Sequence, residues 1–316
     1  MTNFYNNKIF LAPMAGVTDL AFRTLCREYG ADLVVSEMIS SRGLHYKDKK
    51  TNDLLKTNDI EAPLIVQLFG NEPEVMAEAA KILEDSGVKY LDINMGCPAP
   101  KIVKNGDGCS LMRNEVLAGS IAESVVRAVK IPISVKFRAG WDKDSINAVS
   151  FAKTMENAGV SCVTVHGRTK DQFYSGNADY NIIKQVREAV SIPVIANGDV
   201  TDGNSAKKIL EETGCSSLMV GRGSLGNPFI FKEIKTTFEG NSTTCIPLSE
   251  KRKALLRHIE LMEEYKPEHI GVPEMRKHFA WYLKGIPHSG KYKLEAFSAK
   301  TYNEMKNLTK AIFLKK

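Results

Sequence analysis

No stretch of the 316-residue sequence approaches the roughly 18 consecutive apolar residues of a membrane-spanning helix. The opening residues, Met1 to Tyr5, lack the basic segment and apolar run of a secretory signal. The expected location is therefore the cytoplasm, with no membrane partner. Cysteine is sparse: Cys26, Cys97, Cys109, Cys162, Cys215 and Cys245 lie at wide, irregular spacing with no C-x-x-C pair, so neither a metal cluster nor a disulfide framework is expected. Low-complexity tracts are missing too. What remains is ordinary globular composition, 43% hydrophobic and 25% charged with 23 Gly and 12 Pro, which excludes disorder, collagen and a coiled coil as whole-chain descriptions. The length excludes a single small module and allows two domains, or one α/β barrel of roughly 250 residues with an appendage.

A net positive charge is absent from the first three quarters of the chain. The net charge of +6 arises entirely from residue 241 onward, where 15 Lys/Arg stand against 8 Asp/Glu; residues 1–240 are close to neutral. The same last quarter carries four of the six histidines and a series of aromatics from Tyr265 to Phe313. That composition suits a polyanionic partner, and it equally describes a solvated basic helical face.

Short β-branched runs recur along the first 221 residues: Lys8–Ala12, Leu33–Ser36, Leu64–Leu68, Tyr90–Asn94, Ile133–Lys136, Cys162–His166, Val194–Ala196 and Leu218–Gly221. Their starts are 24 to 43 residues apart, room enough for the crossover that a parallel strand pair requires. Amphipathic stretches such as Glu72–Asp85, Glu115–Val129, Ile146–Asn157 and Ser205–Glu212 fill the intervals. The pattern predicts an α/β fold, a (β/α)8 TIM barrel, closed by a helix at Pro228–Phe238. After the polar linker Glu239–Thr244 the pattern is purely helical: Leu248–Tyr265, Pro273–Lys284 and Leu294–Leu314, separated by the breakers Pro267, Gly271, Pro287 and Gly290. Two domains are expected, a barrel over residues 1–240 and a small all-helical C-terminal domain over residues 241–316.

Nearly every strand delivers a polar side chain to its C-terminal end, the face where barrel enzymes assemble their sites. In order these are Pro13-Met14, Glu37, Gln67, Asn94 with Cys97, Lys136 with Arg138, His166 with Arg168, Asn197-Gly198-Asp199 and Gly221-Arg222. Gly221-Arg222-Gly223 with Gly226-Asn227-Pro228 after strand eight has the ingredients of a barrel phosphate site, and Asn197-Gly198-Asp199 belongs to the same region. A lysine at a barrel mouth needs a charge partner, so Lys136 either forms a Schiff base or faces an anionic cofactor. Gln67 and Asn94 supply amides able to read a planar heterocycle. His166 and Arg168, two positions apart, are expected on one side of an extended strand, in contact with an anion or substrate. Cys97, between Gly96 and Pro98 on the long loop after strand four, is expected at the mouth. Cys26, Cys162 and Cys215 read as small core residues. Cys109 sits near a helix start and either role suits it.

At these residues the chain resembles the tRNA-dihydrouridine synthases, flavin enzymes that reduce the C5–C6 double bond of uridine in the tRNA D-loop. The similarity covers Ala12–Asp19, Asp92–Pro98, Val165–Thr169, Ala196–Asp199 and Gly221-Arg222. The Arg276-Lys277-His278 and Trp281-Tyr282 stretch is similar to the bacterial branch often called B. The resemblance implies that Pro13, Met14, Ala15, Gln67, Lys136, Asn197, Gly198, Asp199, Gly221 and Arg222 contact FMN. It further implies that Cys97 is the proton donor and that Asn94, Arg138, His166 and Arg168 line the uridine pocket, with His166 counted on the cofactor side as well. NADPH would reduce FMN, hydride would pass to uridine C6, and Cys97 would protonate C5. A monomer that binds tRNA through the basic helical domain is expected, with Arg276, Lys277 and Trp281 as first contact candidates, Trp281 reading also as a core anchor, and no metal. Where relatives carry a small residue such as Ala, this chain has Cys109, and Lys47–Asn58 is less alike. The competing readings are an FMN barrel that reduces a small molecule, similar to dihydroorotate dehydrogenase or an ene-reductase, an aldolase-like lyase using Lys136, and a non-catalytic RNA-binding protein.

Overall fold

The computed structural model describes residues 4–46, 48, 53–242 and 245–314. Linker residues 243–244 and part of the Lys47–Asn58 stretch lie outside the described residues. Eight parallel strands close into a barrel in sequence order: β1 (Ile9–Leu11), β2 (Leu33–Ser40), β3 (Leu64–Phe69), β4 (Tyr90–Met95), β5 (Ile133–Arg138), β6 (Cys162–His166), β7 (Val194–Asn197) and β8 (Ser217–Val220). The last pairs with the first through Ile9–Leu218, Phe10–Met219 and Leu11–Val220. All eight expected strands are present. The largest departure is β2, which runs on to Ser40 through a register shift between Val35 and Met38, so that Glu37 lies inside the strand instead of at its end.

The outer helices are α1 (Leu20–Glu28), α2 (Ser41–His45), α3 (Pro73–Asp85), α4 (Pro100–Lys104), α5 (Glu115–Ala128), α6 (Ala148–Asn157), α7 (Tyr180–Ala189), α8 (Gly203–Thr213) and α9 (Ile230–Phe238). Their starts follow from side-chain chemistry. Asp19, Asn114, Asp179 and Asp202 each accept a backbone N–H of the first turn, and Asp202 with Ser205 forms a capping box. The barrel interior is packed by Phe10, Leu33, Val35, Ile65, Cys162, Ile195 and Met219, plugged at the N-terminal end by Tyr5 and by Phe4 stacked on Tyr90. A second, larger core lies between strands and helices.

Beyond the barrel follow α10 (Leu248–Tyr265), α11 (Glu268–Tyr282), α12 (Gly290–Ser298) and α13 (Tyr302–Leu314). Two expectations change here. Helix α11 begins at Glu268 and carries Pro273 in its interior, and Gly271 leaves room for the Tyr302 hydroxyl, 1.7 Å from where a Cβ would stand. The expected single helix Leu294–Leu314 is two, because Ala299 O accepts from Arg276 and the Tyr302 N–H donates to Glu268, so tertiary bonds replace helical ones at the break. The larger core runs without interruption from the barrel into α10 and α11 through Leu255, Ile259, Met262, Met275 and Phe279. Phe22 of α1 packs against the rings of His258 and His278.

Candidate active site

One cavity of about 1000 Å³ opens at the C-terminal ends of the strands. Of the fifteen positions singled out above for catalysis, cofactor or substrate, fourteen line it: Pro13, Met14, Ala15, Gln67, Asn94, Cys97, Lys136, Arg138, His166, Asn197, Gly198, Asp199, Gly221 and Arg222. Arg168 does not. Its guanidinium is almost wholly buried and committed to the carbonyls of Ser175 (3.0 Å) and Gly176 (2.6 Å) and to the Asp199 carboxylate (2.7 Å). The expectation that Arg168 shares a side with His166 fails because β6 ends at His166. Gly167 turns against the backbone of Asp179, where a Cβ would stand 2.6 Å from its oxygen, so the two-residue alternation of a strand no longer applies.

The floor of the cavity is a chain of amides. Asn94 Nδ2 donates to Gln67 Oε1 (2.8 Å), and Gln67 Nε2 donates to the buried Asp92 carboxylate (2.7 Å), which also accepts from Ser134 Oγ (2.6 Å). Asn94 Oδ1 in turn accepts the backbone N–H groups of Gly96 (3.2 Å) and Cys97 (2.9 Å), which brings the thiol to the mouth as expected. Burial pushes the Cys97 thiol up, opposed by the Ala99 N–H and by the charges of Arg138 and Lys136, so at neutral pH it keeps its proton. Cys109 lies deeper, in the 3-10 turn Gly108–Arg113. Its N–H donates to Cys97 O (3.0 Å), and burial raises its thiol to about 12.

Lys136 Nζ donates to Asn197 Oδ1 (2.9 Å), and Asn197 Nδ2 donates to Met219 O (2.8 Å). Enclosure in the barrel wall and the neighbouring Arg138 charge lower the Lys136 ammonium to about 8, against the pull of Asp92. Arg138 spends Nε on Gly96 O (3.0 Å) and Nη1 on Thr169 O (2.8 Å) and Phe173 O (2.9 Å), tying the loops after β4 and β6 together. His166 Nδ1 accepts the Arg168 N–H (3.1 Å), which puts the ring proton on Nε2. Burial and four surrounding cations hold it neutral, so it is a hydrogen-bond donor and not an acid. Burial alone would raise the Asp199 carboxyl, but bonds from Arg168 and the Ala178 N–H hold it below its ordinary value.

Several lining residues have no counterpart in the sequence reading. Phe173 and Tyr174 form an exposed rim, with the Arg222 guanidinium 4.4 Å above the Tyr174 ring. Lys251 and Lys284 reach the cavity from the helical segment, beside Trp281, named above as a contact candidate. Asp92 was legible as the residue two before Asn94 on one strand face; the lysines had no local signal. The contact candidates Lys277 and Arg276 are engaged elsewhere, Lys277 Nζ with Gly16 O and Arg276 with Ala299 O.

A closed parallel barrel with a lysine, a loop cysteine and an amide chain around one C-terminal cavity defines a (β/α)8-barrel enzyme. The family profile described as dihydrouridine synthase (Dus) matches residues 10–316, and the chain belongs to that family. A probable tRNA-dihydrouridine synthase of Rickettsia bellii is 47% identical over 290 residues, 91% of this chain and 89% of the relative. The tRNA-dihydrouridine synthase B of Pseudomonas aeruginosa is 41% identical over 92% of this chain and 87% of its own. Among solved structures, histamine dehydrogenase from Rhizobium sp. 4-9 aligns at 14% identity and TM-score 0.56 over 98% of this chain and 62% of that one. A variant of NCR from Zymomonas mobilis aligns at 15% and 0.52 over 77% and 90%. Both share the fold.

Proposed function

We propose that this chain reduces the C5–C6 double bond of a D-loop uridine in tRNA, with FMN held in the cavity, NADPH as reductant and Cys97 as proton donor to C5. The observation that carries the reading is Lys136: in a member of the dihydrouridine synthase family, an ammonium is enclosed at the cavity wall with a neutral amide as its hydrogen-bond partner. The lining as a whole supports an anionic guest. Among the described residues, Lys136, Arg138, Arg222, Lys251 and Lys284 stand against one lining carboxylate, Asp199, which Arg168 already pairs. These donors fit a flavin mononucleotide.

Lys136 and the Nε2–H of His166 would hold the electron-rich edge of the ring system, with Gln67, Asn197 and the Pro13-Met14-Ala15 turn beside it. Arg222, with Gly198, Asp199 and Gly221 around it, would meet the phosphate; Asp199 serves there by fixing Arg168 and the Ala178 N–H. When bound, FMN supplies the hydride that uracil C6 accepts. Asn94 and Arg138 would orient the uracil, and the protonated Cys97 thiol would deliver a proton to C5, where enolate character develops. Arg168 acts on the loops, not on the substrate. A base reaches such a cavity only by leaving its stack, so residues 241–316, with their excess of positive charge, would hold the RNA while residues 1–240 hold the cofactor.

Two measurements test the reading. Purified protein is expected to release FMN on denaturation, and tRNA from cells lacking this chain is expected to lose dihydrouridine at one or more D-loop positions. A colourless protein that takes up no FMN, or an unchanged dihydrouridine map, overturns it.

A further inference from the structure

Asp92 is a carboxylate in the apolar interior of the barrel, neighboured in register by Gln67 on β3 and Ser134 on β5. Among the described residues no arginine or lysine hydrogen-bonds it; its partners are Ser134 Oγ and Gln67 Nε2. An apolar side chain of similar volume would satisfy packing at lower cost in desolvation, so stability alone does not account for a carboxylate here. What it does supply is direction. An ionised carboxylate only accepts, so Gln67 must turn its NH2 group toward Asp92 and its carbonyl toward Asn94. Asn94 must then donate through Nδ2, which leaves Oδ1 to accept the Gly96 and Cys97 N–H groups. Every bond in the relay has one permitted direction, and its far end is the backbone of the residue carrying the thiol.

We propose that Asp92 is a positioning residue: through Gln67 and Asn94 it fixes the loop that carries Cys97 and holds the thiol at the mouth of the cavity. The inference rests on reading Cys97 as the proton donor, and it touches neither substrate nor cofactor directly. It separates two properties of Asp92 that substitution can tell apart, the acceptor oxygen facing Gln67 and the charge facing Lys136. Asp92→Asn keeps an acceptor for Gln67 and can donate to Ser134, so the relay survives without the charge. Asp92→Leu fills the space and removes the acceptor.

The test is the rate at which iodoacetamide alkylates Cys97 in flavin-free protein, mapped by mass spectrometry with the exposed Cys245 as internal reference. Asp92→Leu is expected to raise the Cys97 rate about fivefold, the ratio that one ordinary hydrogen bond carries, while Asp92→Asn stays close to the unsubstituted protein and Cys245 is unchanged in both. If Asp92→Leu does not fold, Gln67→Met breaks the same relay one link nearer the thiol and is expected to give the same rise. Combining Asp92→Leu with Asn94→Ala is expected to add nothing to Asn94→Ala alone, as for residues acting in one chain. Unchanged Cys97 reactivity in both Asp92→Leu and Gln67→Met, or additive effects in the double variant, overturns the proposal. Because the readout needs neither RNA nor flavin, a failure of the relay is distinguishable from a failure of the uridine reading.

Discussion

Cys97 and Cys109 are neighbours through one backbone hydrogen bond, yet their surroundings assign them different chemistry. Cys97 lines the cavity and Cys109 is sealed beneath it. A positioned acid contributes typically ~10²–10⁴-fold in rate, so Cys97→Ala is expected to slow uridine reduction within that range and to leave NADPH oxidation unchanged; Cys109→Ala is expected to change neither. Stopped-flow measurement of both half-reactions checks this, and equal loss in the two for Cys97→Ala would mark a structural role instead. Lys136 offers a second prediction at this scale. Its ammonium titrates at about 8 in the folded chain against 10.5 for the free side chain, so the unfolded state binds the proton more tightly and flavin-free protein gains stability as pH rises between these values. That difference corresponds to about 3 kcal/mol, lost as pH falls from 10.5 to about 8. Lys136→Met is therefore expected to melt at higher temperature than the parent flavin-free protein at pH 7, with the gap closing by pH 10.5. Parallel melting curves across that window would show that burial of the ammonium carries no such cost.

Elements differ in how much of their form is local. Helix α8 ends at Gly214, whose φ of 68° is a left-handed cap with nothing within 4 Å of a Cβ. Gly226, at φ 65° in the turn after β8, would put a Cβ 2.4 Å from the backbone of Trp281. Gly214→Ala meets only the backbone preference, about 1 kcal/mol, whereas Gly226→Ala adds a collision that neither backbone can relieve, about 2–4 kcal/mol in all. Thermal melts of the two variants should rank them in that order, and Gly226→Ala should also loosen FMN, because this turn carries Arg222 and abuts α11. Equal melting temperatures would mean that the turn and α11 part easily. The same contact joins the last barrel loop to the helical segment, as Lys277 with Gly16 and Lys266 with Asp19 (2.6 Å) join the first.

At the scale of the whole molecule the helical segment is distinct in its elements and continuous in its core. Helix α10 packs on α1, Arg257 pairs with Glu28, and the Asn58 amide donates to the Tyr265 hydroxyl. Truncation after residue 244 would expose Phe22 and free both loops that border the cavity. The truncated chain is accordingly expected to lose cooperative thermal unfolding, not merely RNA affinity; a barrel that melts cooperatively and retains FMN would show that the core is divisible. For the intact chain, tRNA affinity is expected to fall linearly with log salt on a double-logarithmic plot, with a slope reduced when Lys251 and Lys284 are changed together to Ala. Filter binding at several salt concentrations measures that slope, and an unchanged slope would place the RNA elsewhere.

The eight strands, their order and the face that bears the chemistry were legible in the sequence, because strand periodicity and parallel crossover length are local properties that survive in one dimension. Fourteen of the fifteen singled-out residues share one cavity for the same reason: each lies near the C-terminal end of a strand or in the loop that follows it, and in a closed barrel all these ends meet. Tertiary structure alone decided the rest. Arg168 looked like a ligand contact and became a strut, since Gly167 breaks the alternation and Asp199 lies across the next loop. The last helix divides at Ala299 because partners more than twenty residues away take up its backbone groups. Lys251 and Lys284 carried no motif, and only the docking of the helical segment on the barrel brings them to the mouth. A charge or donor is written in the sequence, but the identity of its partner depends on distances that no spacing along the chain contains.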